Sequence, residues 1–179
     1  MFREARQHRR DERRGTGAAH YQMRQKLLSI GDDYWIEDDR GERVFKVNGK
    51  ALRIRKTLVF EDASGTELLN IQERKLRVRD TMEIEDPDGH TVATVKKALV
   101  SPLRERWTVD RSDGPDLEVK GNIVDHEYEI EEGGHAVGAV SKKWFRVADT
   151  YGVEVDTGQD PVLILAVAAV LDTMAHEQR

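Results

Sequence analysis

Residues 158–179 read "GQDPVLILAVAAVLDTMAHEQR". Ten consecutive apolar residues, 162–171, stand in a chain that is 35% charged. Asp160 is a good N-cap and Pro161 suits the first helical position. The apolar run makes nearly three helical turns that are hydrophobic on every face, and such a helix is buried on all sides. Crossing a bilayer takes about 20 apolar residues, whereas ten cover only about 15 Å at the helical rise. The stretch therefore reads as a plug with something wrapped around it. Burying each of its larger side chains contributes about 1.5–3 kcal/mol, so deleting residues 160–179 is expected to leave an insoluble or molten chain.

The wrapper is written in the preceding residues. From Gln25 onward one phrase recurs, an apolar residue, acidic or polar residues, then Gly: "IEDDRG" (36–41), "FEDASG" (60–65), "IEDPDG" (84–89), "VDRSDG" (109–114) and "IEEGG" (130–134). Asp, Ser, Pro and Gly are turn residues, with Asp closing local hydrogen bonds and Gly supplying positive φ. Apolar alternation of period two flanks each turn, the mark of half-buried strands. "FKVNGKALRIRKTLVFED" (45–62) aligns without a gap on "LNIQERKLRVRDTMEIED" (69–86), so the repeat is real and implies a meander of hairpins. Asn48-Gly49 is expected to supply the opposite turn. With "KLLSI" (26–30) in front and "YGVEVDT" (151–157) behind, about twelve strands result. Closure into a barrel removes their edges, and a barrel of that size needs a filling beyond its own side chains. The fold expected is mainly β: an antiparallel closed barrel of about twelve strands with the C-terminal helix through its centre.

Composition narrows the function. The 179 residues suffice for one domain with a real core. There is no cysteine, which excludes thiol catalysis and cysteine-ligated metals and fits a reducing cytoplasm. Residues 1–20 hold six Arg against three acids, leaving +3, and the remaining 23 basic and 31 acidic residues leave −8. An acidic body argues against a general nucleic-acid binder. Residues 1–21 carry no hydrophobic period and no apolar signal region. They are expected to form a disordered basic tail, either a solvated leader or an electrostatic tether, with the barrel domain spanning 22–176.

Catalytic and metal signatures are sparse. His8, His20, His90, His126, His135 and His176 show no metal-binding spacing, and no serine sits in a GxSxG elbow. No cofactor is expected. The pairs Glu37/Asp38, Glu61/Asp62 and Glu85/Asp86 resemble paired catalytic carboxylates, yet they recur at every turn and so read as hairpin chemistry. Basic pairs are the stronger candidates. Arg53 and Arg55 share one sheet face, as do Arg77 and Arg79, and one repeat sets the two pairs about 10 Å apart. Lys142/Lys143 extend this anion-binding set, with Lys96/Lys97 and Arg104/Arg106 as secondary candidates. The competing reading is ordinary solvated charge on outward positions. Asp172, directly after the apolar run, needs either an open barrel mouth or an Arg or Lys partner. Trp35, Trp107 and Trp144 are expected in the barrel wall or rim.

The stretches "SKKWFRVADTYGVEVDTGQDPVLILAVAAVLDTM" (141–174) and "QMRQKLLSIGDDYWIEDDRGERVFKVNGKAL" (22–52) resemble LURP-one-related proteins, carried by Ser141, Lys142, Lys143, Trp144, Asp149, Thr150, Tyr151, Asp160 and Asp172. The resemblance implies the tubby C-terminal-like fold, a twelve-stranded barrel threaded by a hydrophobic helix. Together with the basic pairs it leads to the expectation of a non-enzymatic scaffold or binding module, cytoplasmic and peripheral at the inner membrane face, taking anionic phospholipid or phosphate headgroups. The alternative is a regulatory domain that works through a protein partner alone. An enzyme of unfamiliar mechanism is a third class.

Overall fold

In the computed structural model the described residues are 17–24, 34–50, 57–73, 81–98, 106–144 and 149–177. Twelve strands run in chain order: β1 (Ala19–Arg24), β2 (Tyr34–Asp38), β3 (Arg43–Lys50), β4 (Thr57–Asp62), β5 (Glu67–Glu73), β6 (Thr81–Glu85), β7 (Thr91–Lys97), β8 (Arg106–Arg111), β9 (Leu117–Asn122), β10 (Glu127–Glu132), β11 (His135–Ser141) and β12 (Thr150–Val155). A short 3-10 turn, Lys142–Trp144, precedes β12, and helix α1 (Pro161–Glu177) comes after it. Each strand pairs antiparallel with its successor, and β12 returns to β1 through six residue pairs to close the barrel. β1 starts at Ala19, three residues ahead of the expected domain boundary, and sets His20 opposite Glu154.

The recurring Asp phrase builds the same corner three times. Asp62 Oδ1 accepts from the amides of Ser64 (2.8 Å) and Thr66 (2.9 Å), while its carbonyl accepts from Gly65 N (3.1 Å). Asp38 binds the amides of Arg40 and Glu42 in the same way, and Asp86 binds that of His90. The strand register shifts one residue before each of these Asp, at Ile36/Glu37, Phe60/Glu61 and Ile84/Glu85. The loop then turns on Gly41, Gly65 and Gly89 at φ 77°, 88° and 87°, a left-handed conformation in which Gly carries no Cβ penalty.

The other hairpin end differs from the sequence expectation. Asn48 and Gly49 are no turn: they lie inside β3, paired with Val59 and Leu58. Asn-Gly favours a two-residue turn locally, but pairing with β4 carries β3 on to Lys50. The expected KLLSI strand (26–30) lies outside the described residues, as does the chain before residue 17.

Inward residues on successive strands, among them Ile36, Val47, Phe60, Ile71, Ile84, Val95, Val109, Val119, Ile130 and Val153, line one continuous apolar interior. Helix α1 occupies it. Asp160 caps the helix, with Oδ1 accepting from Val162 N at 2.9 Å. Every residue from 164 to 175 is buried, Ile164 at 1% and Val167 at 0% exposure. No helix among the described residues is long and apolar enough to cross a membrane. Because β12 leads straight into α1, the helix enters at the end that carries the Asp turns and runs toward the opposite mouth.

Candidate surface cations and a buried polar pair

At that opposite mouth lie the strand ends Lys50 and Thr57, Glu73 and Thr81, Asn122 and Glu127, and Ser141 and Thr150. The Lys142–Trp144 turn is anchored there on two sides. Ser141 Oγ donates to Glu127 Oε1 (2.8 Å) and accepts from Lys143 N (3.2 Å). On the other flank Trp144 meets the His20 ring edge-on, centroids 6.1 Å apart, and His20 Nε2 lies 3.0 Å from Glu154 Oε2. β12 is buried on both faces, so Thr150, Gly152 and Glu154 are covered on the outer side. The Lys142–Trp144 turn folds back against β12 on that side.

This places two of the expected anion-binding residues. The Lys143 side chain is 78% exposed and 3.8 Å from Glu127 Oε2; Lys142 is half-buried beside it. Arg53, Arg55, Arg77, Arg79 and Arg104 lie outside the described residues. The secondary candidates divide. Lys96 is paired with Asp110 across β7 and β8. Lys97 lies over the Trp107 ring, 5.4 Å from its centroid. Arg106 opens β8 and is exposed. Elsewhere on the outer wall Lys46 faces Glu61 (3.8 Å), while Arg111, on the inward side at the end of β8, meets Glu132 (3.2 Å). Hydrogen bonds donated to Glu131 and Glu118 raise the Lys120 ammonium above its usual range. Cross-strand pairing thus neutralises much of the described wall, as outward charge on an antiparallel sheet does.

The Glu-Asp pairs part company in space. Asp38, Asp62 and Asp86 hold their turns, and turn hydrogen bonds keep the Asp62 and Asp86 carboxyls below the usual carboxylate range. The neighbouring glutamates bind other strands: Glu61 meets Lys46 and Glu85 accepts from Gln72 (3.0 Å). Asp86, Asp88 and His90 bring three potential metal-ligand atoms within 4.8 Å of one another, but Asp86 already accepts from the His90 amide to close its turn. Of the tryptophans, Trp107 is buried in the core, and Trp35 on the outer wall carries Arg43 over its ring at 5.5 Å.

Asp172 lies inside the barrel. It is 1% exposed, so no open mouth solvates it, and its described partner is a histidine: His126 Nε2 lies 2.6 Å from Asp172 Oδ1. His126 ends the turn between β9 and β10, where its amide donates to Ile123 O, and adopts φ 52°. Its ring stacks on Tyr151 with centroids 4.5 Å apart. Tyr128 is also buried; burial first, and then the charge of Asp172, pushes its hydroxyl well above the usual tyrosine range. The two partners are 46 residues apart in sequence, so no spacing rule flags them. Asp172 itself, an acid at the end of an apolar run, is the one sign visible along the chain. The next residue, Thr173, turns its hydroxyl back to Ala169 O (3.0 Å).

A closed twelve-stranded antiparallel barrel with an apolar helix along its axis defines the class of protein. Residues 19–172 match the LURP-one-related family, and the chain belongs to it. One relative is the Bacillus subtilis (strain 168) protein named uncharacterized protein YxjI, 28% identical over 154 residues that cover 86% of this chain and 92% of that protein. The X-ray structure of an Arabidopsis thaliana protein matches with a TM-score of 0.63 at 20% identity, covering 86% of this chain and 90% of that one. At that identity the likeness speaks for the fold.

Proposed function

We propose that this protein is a non-enzymatic binding module of the inner membrane face, and that it presents the mouth carrying Lys142 and Lys143 to anionic phospholipid headgroups. One observation carries the reading: the Lys142–Trp144 turn is braced from both sides while Lys143 stays exposed. A braced turn loses little freedom on binding, which favours affinity. The barrel interior is filled by α1, so binding is assigned to the outside.

Sedimentation with phosphatidylcholine vesicles, with and without phosphatidylserine, tests the proposal. The protein is expected to bind only the anionic vesicles and to release as salt rises. Each basic residue near an anionic surface contributes about 1 kcal/mol, so Lys142→Ala with Lys143→Ala should weaken binding about thirty-fold while leaving the melting temperature unchanged. Wild type that ignores anionic vesicles at low salt would sink the lipid reading and leave contact with a protein partner as the alternative.

A further inference from the structure

Helix α1 poses a problem of register. Apolar burial is non-directional, and α1 is apolar on all faces through residues 162–171. In an apolar tube, a helix turned or shifted by one residue would bury nearly as much surface. The N-terminal half is set by the Asp160 cap and by close contact with β11 at Gly138, where an added Cβ would lie 3.2 Å from Ile164 Cγ2. In the C-terminal half a directional contact to the wall joins His126 to Asp172, at 2.6 Å and with both side chains buried. Thr173, also buried, bonds within the helix.

We propose that the His126–Asp172 pair is a register pin, fixing the rotation and depth of the C-terminal half of α1 and thereby the floor of the mouth that carries Lys142 and Lys143. Stability alone does not explain the pair. His126 Nδ1 and the Tyr128 hydroxyl are buried without a hydrogen-bond partner among the described residues, which makes the cluster costly. Replacing a buried polar or charged pair with apolar side chains is often neutral or stabilising, and the best-attested role of such polar contacts is specifying register. His126 also holds a left-handed backbone conformation that is uncommon outside glycine, so the turn is shaped to aim this ring. The pin depends on no ligand and stands apart from the lipid proposal.

The test compares His126→Phe, Asp172→Leu and the double variant by thermal melting and by amide hydrogen exchange and NMR of residues 164–175. Each single change breaks the buried pair and should lower Tm by about 10 °C. The double variant should recover most of that loss, yet show doubled or broadened helix resonances and faster exchange than wild type. His126→Gln, which keeps a donor, supplies the comparison if a single variant fails to fold, and should retain one sharp set of helix signals. A double variant with one wild-type-like set of signals, or with a Tm loss equal to the sum of the singles, would overturn the pin.

Discussion

Gly138 of β11 and Ile164 of α1 meet so closely that a Cβ at position 138 would lie 3.2 Å from Ile164 Cγ2 and 3.2 Å from the Glu154 carbonyl oxygen. The barrel wall has thinned to backbone where the helix passes. Gly138→Ala should therefore destabilise the protein, by about 1–3 kcal/mol as overpacking usually does. Part of that loss comes from Ile164 Cγ2, so Ile164→Ala, which removes that atom, should cost less in the Gly138→Ala background than in wild type. Urea denaturation of the four proteins measures the coupling; strict additivity would separate the two residues.

The Asp turns should make stability depend on acid. Turn hydrogen bonds hold the Asp62 and Asp86 carboxyls below the usual 3.8. A group depressed in the folded state contributes stability that is present above its unfolded pKa and lost as pH falls through the folded value. Asp62→Ala and Asp86→Ala should thus be less stable than wild type at pH 7, and the gap should narrow below about pH 4. Urea midpoints measured from pH 7 to pH 2 check this; a gap constant across the range would refute it.

Tyr128 acts at the opposite extreme. Its hydroxyl is raised well above 10.0 by burial and by Asp172. A group raised in the folded state contributes stability that is fully present below the unfolded pKa, here near 10, and lost as pH climbs toward the folded one. Wild type should begin to lose stability above pH 10, and Tyr128→Phe should lose less. Circular dichroism together with tyrosinate absorbance between pH 9 and pH 12 tracks both events. Identical alkaline transitions in the two proteins would remove Tyr128 from the account.

Much of this molecule is local and therefore legible. An Asp that binds its own loop amides and a Gly at positive φ define a turn within six residues, so the 24-residue spacing is readable at Gly41, Gly65 and Gly89. Ten apolar residues behind an Asp-Pro cap announce a buried helix, and a lone helix of that kind demands a closed wall. Asn48-Gly49 misleads because its turn preference is also local, and pairing to β4 overrides it.

What the tertiary structure alone decided lies at long range. Asp172 can be read as needing a partner, but not that the partner is His126, because the β9–β10 turn and the helix meet only after the strands have wound around the axis. Nor does alternation reveal that β12 is covered on both faces, which braces Lys142 and Lys143 between Glu127 and the His20–Glu154 pair. Turns and helices are specified by neighbours along the chain; which side chains face each other across a closed barrel depends on register summed around the whole ring.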